Sequence, residues 1–274
     1  MRLAPVTAVV VVGAAVTLTP VAMADAAANQ VPTVTLTGAS CRPDRQSVLM
    51  RFDDDRTHGY AVRAHIYRNS DPALVTAQII AAPAWEPRGR SLELRPAAGA
   101  RGVAKLLIRL TDEDGGSTFF PVNYRVGYTG MTGDADTDVI VGNASANTLR
   151  GLGGADVLCG LGGHDQIQGG EGNDLAYGGD GHDSVDGGTG NDIVSGDRDS
   201  DRVIGGDGDD RLFGGTGGVE NDIEMGGPGR DTIVDPAGED SVTGGPDPDT
   251  FVVSRQARVV DGAAEDTVAV IPVP

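Results

Sequence analysis

A nine-residue period is the feature that most constrains what this chain can fold into. Between Gly169 and Asp192 the sequence reads GGEGNDLAYGGDGHDSVDGGTGND, and its glycine pairs recur every nine residues. With Asp placed at position six, the register runs from 133 to 252 as twelve units of nine residues and one of twelve. A fixed period of this length is typical of a solenoid, in which each unit contacts only its neighbours.

Two positions stay nearly constant from unit to unit. Position six is Asp in twelve units and Asn147 in the remaining one, and position eight is apolar everywhere except at Glu224. Of the last three positions in a unit, only the middle one is expected to be apolar. The pattern therefore predicts a short strand with position eight inward. A disordered Gly- and Asp-rich linker would not keep one position apolar.

Units such as GGDGHDSVD at 178–186 and GGDGDDRLF at 205–213 resemble the hemolysin-type (repeats-in-toxin) calcium-binding family. The resemblance covers a little under half of the chain and implies a right-handed parallel β-roll. Well-known members of that family carry an uncleaved C-terminal export signal. This chain departs from them in its N-terminal segment, so the resemblance does not assign it as a toxin or a protease.

The repeat supplies oxygen ligands of the kind that calcium prefers. Ca²⁺ takes six to eight oxygens, including carboxylates and main-chain carbonyls, and glycine's freedom at positive φ lets carbonyls approach an ion. The predicted calcium ligands and loop glycines are Asp156, Asp165, Asp174, Asp183, Asp192, Asp201, Asp210, Asp222, Asp231, Asp240, Gly170, Gly172, Gly179, Gly181, Gly188, Gly190, Gly206 and Gly208. Several ions are expected, and Asp138 is expected to bind more weakly than Asp174 or Asp183.

The charge distribution makes folding of the repeats conditional on cations. Residues 133–274 contain 29 acidic and 7 basic residues, a net charge of −22, whereas residues 1–132 carry a net charge of +3. Like charges at this density oppose compaction unless cations neutralise them. Nucleic acid is excluded as a partner of this half, because phosphates require a basic surface.

The N-terminal segment MRLAPVTAVVVVGAAVTLTPVAMADA has the features of a secretory signal. Arg2 precedes an uncharged apolar stretch that ends in Ala22-Met23-Ala24, which predicts that 1–24 is cleaved before Asp25. A retained membrane anchor is the alternative, since the stretch is nearly long enough to span a bilayer. No other span is predicted, so the mature protein is expected to be secreted and extracellular.

Residues 29–130 have a different pattern. SVLMRF (47–52), YAVRAHIY (60–67), GVAKLLIRL (102–110) and STFFPVNYRV (117–126) alternate apolar and polar residues, which predicts a small β-sandwich. The last hairpin resembles cadherin-like or immunoglobulin-like extracellular modules. The acidic residues Asp53 to Asp55, Asp112 and Asp114 are expected to lie in solvated loops rather than in calcium sites. Residues 253–274 are expected to form a C-terminal cap or a degenerate last repeat.

Four other side chains raise questions that the sequence leaves open. Cys159 stands at position nine and should point out of the roll, and secretion would permit a disulfide with Cys41, although sequence alone cannot bring the two together. His164 and His182 share position five, which is otherwise variable, and should stack one turn apart. Their expected place is the solvent surface, with a transition-metal site as the alternative.

One unit, GGTGGVENDIEM at 214–225, contains three extra residues and places Glu224 at the inward position. A buried, unpaired carboxylate costs several kcal/mol. We therefore expect the strand to slip by one residue, which would turn Ile223 or Met225 inward, or the coil to bulge and turn Glu224 to solvent or to an ion.

No catalytic motif is present: the sequence has no G-x-S-x-G, no H-E-x-x-H and no phosphate-binding loop. The sequence thus predicts an all-β protein, a sandwich followed by a β-roll of about 6.5 coils, that binds calcium and is not an enzyme. Its expected role is structural or adhesive, with calcium ions and cell-surface or matrix components as partners. The alternative is an accessory module of a secreted hydrolase system, or an enzyme whose site the motifs do not reveal.

Overall fold

The structure is a computed structural model that describes residues 33–53, 62–81, 89–111, 115–215, 220–254, 256–260 and 265–271. Every regular element in these ranges is a β-strand, so the predicted all-β class is confirmed. None of these ranges contains a helix long and apolar enough to cross a membrane. The predicted signal segment 1–24 and the acidic residues Asp54, Asp55, Asp112 and Asp114 lie outside the described residues.

The N-terminal part consists of antiparallel strands in two layers. The strands are β1 (Thr33–Arg42), β2 (Arg45–Asp53), β3 (Arg63–Asn69), β4 (Val75–Ala81), β5 (Gly89–Pro96), β6 (Gly102–Thr111) and β7 (Ser117–Val126). One layer is a four-stranded sheet of order β1-β2-β5-β4, and the other is formed by β7-β6-β3. Alternate residues of β6, such as Leu106 and Ile108, are buried in the same apolar core as Leu36 and Met50 of the first layer. The Tyr124 hydroxyl donates a hydrogen bond of 2.7 Å to Gln46 Oε1 across this core.

The remaining strands alternate between two parallel sheets and form a solenoid. One sheet contains β8 (Gly130–Thr132), β10 (Thr148–Gly153), β12 (Gln166–Glu171), β14 (Ser184–Thr189), β16 (Arg202–Asp207), β18 (Ile223–Met225), β20 (Ser241–Thr243) and β22 (Arg258–Val259). The other contains β9 (Asp138–Asn143), β11 (Val157–Gly162), β13 (Leu175–Asp180), β15 (Ile193–Arg198), β17 (Arg211–Gly215), β19 (Thr232–Asp235), β21 (Thr250–Ser254) and β23 (Thr267–Ile271).

Two repeat units make one turn of the solenoid. Leu158 pairs with Ala176 and Ile167 with Val185, each eighteen residues further on. Eight strands in each sheet therefore give eight turns, more than the 6.5 that we expected. The difference arises at the two ends, because β8 begins before Gly133 and the segment after 252 contributes β22 and β23.

Position eight forms the core of the roll, as predicted. The residues there are almost fully buried and pack in two facing columns with Met131 and Val253: Ile140, Leu149, Leu158, Ile167, Ala176, Val185, Val194, Val203, Leu212, Ile233, Val242 and Phe251. Only one inward side chain per nine residues contributes to this core, so the core is narrow. Stacking of neighbouring turns, rather than a thick apolar interior, therefore holds the roll together.

The sandwich and the roll share a sheet. Strand β7 pairs in parallel with β9, from Asn123 opposite Asp138 to Val126 opposite Val141. The second layer of the sandwich therefore continues directly into one face of the roll.

Strand β1 covers the outer face of the first roll turns. There, positions seven and nine are apolar and buried, for example at Val157, Leu175 and Tyr177. The expectation that only the middle of each strand is apolar is therefore wrong for these units. Cys159 does point out of the roll, but it is buried beneath β1 and forms a disulfide with Cys41, with 5.7 Å between the two Cα atoms.

The irregular unit keeps its register, so the expected one-residue slip is wrong. Glu224 pairs with Val203 on one side and with Val242 on the other. Ile223 and Met225 remain 45% and 37% exposed, whereas Glu224 is 0% exposed. A slip of β18 would break its main-chain hydrogen bonds to both neighbouring strands of the parallel sheet. The register is kept instead, and the Glu224 carboxylate is buried as a consequence.

Candidate metal centre

The glycines of each unit bring successive turns into close contact. The predicted loop glycines at positions two and four have φ between 111° and 136°: Gly170, Gly172, Gly179, Gly181, Gly188, Gly190, Gly206 and Gly208. A Cβ added to Gly172 would overlap the carbonyl oxygen of Gly154 in the preceding turn, and one added to Gly181 would overlap that of Gly163. These positions therefore require glycine both for the backbone conformation and for the close approach.

Each regular unit carries a buried Asp at position six whose side chain is hydrogen-bonded to the preceding turn. The backbone N–H of Asp156 donates to Asp174 Oδ1 at 2.8 Å, and the N–H of Asp174 donates to Asp192 Oδ1 at 2.7 Å. The same bond crosses the irregular unit, where the N–H of Asp201 donates to Asp222 Oδ1 at 2.7 Å. The Asp side chains thus form two hydrogen-bonded ladders along the solenoid, because each turn contains two units and each unit contributes its Asp to one ladder.

The second carboxylate oxygen has no hydrogen-bond partner among the residues that the structure describes. This applies to the Oδ2 atoms of Asp156, Asp165, Asp174, Asp183, Asp192, Asp201, Asp210 and Asp231, all of them buried. The position-one glycine of the same unit lies beside this atom. A Cβ on Gly169 would overlap both Asp174 Oδ2 and the carbonyl oxygen of Gly187 in the next turn. An unpaired carboxylate oxygen and a main-chain carbonyl oxygen from two turns therefore face the same small space.

Burial disfavours the ionised form of these carboxyl groups. Desolvation raises the pKa of Asp165 to about 6, that of Asp156 to about 8 and that of Asp174 to about 9. A buried carboxylate with an unsatisfied oxygen needs a counter-ion or a proton. Carboxylate and carbonyl oxygens are the donors that the hard cation Ca²⁺ prefers, so the residues present fit calcium.

The first Asp of the ladder is satisfied by the protein itself. Arg125 donates from Nε to Asp138 Oδ1, and the backbone N–H of Asp134 donates to Asp138 Oδ2 at 2.9 Å. The Arg125 guanidinium also lies 2.9 Å from Asp134 Oδ2. Because both oxygens of Asp138 are occupied, this geometry supports the expectation that Asp138 binds calcium more weakly than Asp174.

The histidines at position five stack as expected, but they also belong to a further hydrogen-bonded ladder that the sequence did not predict. The rings of His164 and His182 stack with centroids 5.3 Å apart, and the backbone N–H of His182 donates to His164 Nδ1 at 2.9 Å. Asn173 Oδ1 accepts from the N–H of Asn191 in the same way, at 2.8 Å. The position is variable in residue type, but side chains with a hydrogen-bond acceptor recur there. This role accounts for both histidines without a metal.

The repeats match a known family. The RTX calcium-binding nonapeptide repeat matches in four copies, at residues 132–167, 160–194, 186–219 and 216–251. Together these matches extend from 132 to 251, which covers the turns in which the buried Asp ladder runs. Comparison with curated proteins gives no match to this chain.

Proposed function

Because residues 132–251 form a β-solenoid of RTX calcium-binding repeats, we propose that the chain is a secreted structural protein whose roll folds as it takes up calcium. The observation that carries this proposal is the row of buried Asp side chains, each with one oxygen bonded to the neighbouring turn and the other without a partner in the described part of the chain. A free-standing buried carboxylate opposes folding, and a cation beside it removes that cost.

In this proposal the chain supplies ligands from two turns to each ion. The position-six Asp, for example Asp174 or Asp183, offers Oδ2, and the position-one glycine of the next turn offers its carbonyl oxygen. Bound calcium would neutralise the carboxylates and link oxygens of neighbouring turns. Of the further predicted ligands, Asp240 follows the regular pattern, since its Oδ1 accepts from the N–H of Asp222 at 3.1 Å and its Oδ2 is buried without a partner among the described residues. Asp222 instead lies beside Glu224 and Asp235.

We further propose that the protein is secreted and that it has an adhesive role. The Cys41–Cys159 disulfide fits an oxidising compartment, and the signal-like segment 1–24 points the same way. We propose a sandwich (29–130), a roll (133–252) and a terminal segment (253–274) as the units of the chain. The outer face of the sheet from β8 to β22 exposes polar side chains such as Arg150, Gln168 and Arg202, and we propose this face as the contact surface for a cell-surface or matrix partner.

Hydrogen exchange of the chain from Asp25 onward, in millimolar calcium and in chelator, tests calcium-coupled folding. We expect amides of β11 to β17 to be protected in calcium and to exchange freely in chelator, since the ions stabilise contacts between turns. Asp174→Ala should shift the transition to higher calcium. Glu171→Ala is the matched control, because Glu171 is acidic and close by but exposed and outside position six. Protection that chelator leaves unchanged would refute the proposal.

A further inference from the structure

Three carboxylates converge inside the roll at the one irregular unit. Asp222, Glu224 and Asp235 each place a carboxylate oxygen within 4.8 Å of the others, and all three residues are buried. Only Asp222 occupies the repeat's acidic position. Glu224 stands where the other units have an apolar side chain, and Asp235 stands at position one, where glycine is the rule.

The cluster occupies the place where a regular turn combines one carboxylate with one carbonyl. At Gly205, an added Cβ would overlap Asp210 Oδ2 and the carbonyl oxygen of Gly226. At Gly214 the same construction overlaps Glu224 Oε1 and Asp235 Oδ2. The nearest oxygens at Gly214 therefore belong to two carboxylates, instead of one carboxylate and one neutral carbonyl, and Asp222 adds a third charge nearby.

Within the described ranges, backbone N–H groups reach only Asp222 Oδ1, from Asp201 at 2.7 Å, and Asp235 Oδ1, from Ala237 at 3.3 Å. Both oxygens of Glu224 and Oδ2 of Asp235 are buried there without a hydrogen bond. None of the ion pairs in those ranges reaches the cluster. An uncompensated group of three buried carboxylates would cost far more than the roll's narrow core can offset.

The backbone prevents these side chains from escaping to water. Glu224 is held in β18 by pairing with Val203 and Val242 on its two sides, and Asp235 pairs with Val253 at the end of β19. The ligand atoms are thus fixed by two sheets rather than by a loose loop. Rigid sites with more carboxylates bind calcium more tightly.

We propose that Asp222, Glu224 and Asp235 form a distinct divalent-cation site that takes calcium more tightly than the repeat sites do. The inference goes beyond the proposed function, because the regular turns could fill with calcium whether or not this cluster binds an ion. Its role would be to hold the turns on both sides of the insertion together at calcium concentrations that leave the repeat sites largely empty.

Equilibrium dialysis of the full chain against calcium alone tests the site. The free concentration should be about 10 μM, well below the Kd of roughly 10⁻⁴–10⁻³ M typical of extracellular sites. We expect one ion per wild-type chain under these conditions. Glu224→Gln keeps the shape of the side chain but removes its charge, and it should weaken retention of this ion at least tenfold. Asp174→Asn, the matched control in a regular unit, should retain it.

The double variant Glu224→Leu/Asp235→Gly gives a second readout if the single variant does not fold. It restores the residue types that regular units carry at both positions, so it should fold in millimolar calcium and lose the tight ion. Retention of that ion by either variant overturns the inference. The inference is also overturned if all ions bound to the wild-type chain dissociate with the same weak affinity. Glu224 and Asp235 would then share a proton instead of binding a tight ion. That outcome leaves the proposed function intact. Absence of any calcium binding at millimolar concentration contradicts the proposed function itself.

Discussion

At the scale of single residues, the backbone is strained in the two units that have leucine instead of glycine at position two. Leu152 and Leu161 occupy position two with φ of 81° and 79°, whereas Gly170 and Gly179 at the same position have φ of 120° and 118°. The left-handed region costs a residue with a side chain about 1–2 kcal/mol. Leu152 recovers little of this cost by packing, because it is 52% exposed.

Leu152→Gly should therefore stabilise the calcium-loaded protein. We expect the free energy of unfolding to rise by about 0.5–1 kcal/mol, since relief of strain exceeds glycine's larger entropy loss on folding. Urea titration in millimolar calcium measures the change. Gly170→Leu, at the same position one turn later, is the control and should destabilise strongly, because its side chain would overlap the Leu152 carbonyl oxygen. Equal and opposite small changes would contradict the argument.

The buried Asp ladder also predicts how the calcium-free protein responds to pH. Desolvation raises the pKa of Asp183 to about 7 and that of Asp210 to about 8, above the value of about 4 in an unfolded chain. The folded state then binds more protons, so this contribution to stability is fully present below pH 4 and is lost as the pH rises through 7 to 8. In chelator, circular dichroism should show β structure gained on acidification from pH 8 to 5. A signal independent of pH would contradict this.

The sandwich should respond to acid in the opposite sense. Hydrogen bonds from Gln78 and Arg95 lower the pKa of Glu93 to about 2. Its contribution to stability is therefore present above about pH 4.5 and is lost only as the pH falls toward 2. A titration that stops at pH 5 separates the two effects.

At the scale of elements, the sequence predicts what depends on the local period and misses what depends on distant contacts. The inward column of residues such as Leu158 and Val185 follows from the nine-residue repeat, because strand alternation is local. The pairing of β7 with β9 joins the sandwich to the repeats. The two segments have different sequence patterns, so no periodicity predicts this pairing. The cover that β1 provides did leave a signal: apolar residues at positions seven and nine in alternate units, an eighteen-residue period visible at Val157, Leu175 and Ile193.

The site was likewise predictable in part. The Asp ladder follows from position six, whereas the Glu224 cluster depends on the three-residue insertion and on the register that the neighbouring strands impose. Sequence reasoning identified Glu224 as costly to bury, but it allowed the strand to move. The pairing of β18 with β16 and β20 shows that a slip would break main-chain hydrogen bonds on both sides. This loss costs more free energy than burial of the Glu224 carboxylate.

The Cys41–Cys159 disulfide should stabilise the contact between β1 and the roll. It joins residues 118 apart in sequence, and closing a loop of this length lowers the chain entropy of the unfolded state by an amount that corresponds to roughly 4–5 kcal/mol. Cys41→Ser/Cys159→Ser should lower the unfolding free energy by about that amount in millimolar calcium. Hydrogen exchange should show the loss in β1 and β11. Calcium binding by the turns after β17 should be unchanged, and a change there would show that the disulfide acts through the whole roll.

At the scale of the whole molecule, the two ends of the roll are unequal. The N-terminal end continues into the sandwich through β7, and Arg125 neutralises the first Asp of the ladder. Toward the C-terminal end, the last strands among the described residues are β22 and β23, and Val268 and Val270 of β23 are exposed. Solenoid stability is a sum of contacts between neighbouring turns, so turns that contact only other turns open more readily than turns that are also joined to the sandwich.

As calcium is withdrawn, the roll should therefore open from its C-terminal end toward the sandwich. Hydrogen exchange of the full chain at stepwise lower free calcium should show β21 and β23 losing protection first and β9 and β11 last, because the latter are held by β7 and the disulfide. A tight ion at Glu224 would add a plateau at which β18 and β19 stay protected after β23 has opened. Glu224→Leu/Asp235→Gly should remove the plateau while keeping the order. If all turns exchange simultaneously, or if protection is lost first at β9, then the sandwich does not set the direction of opening.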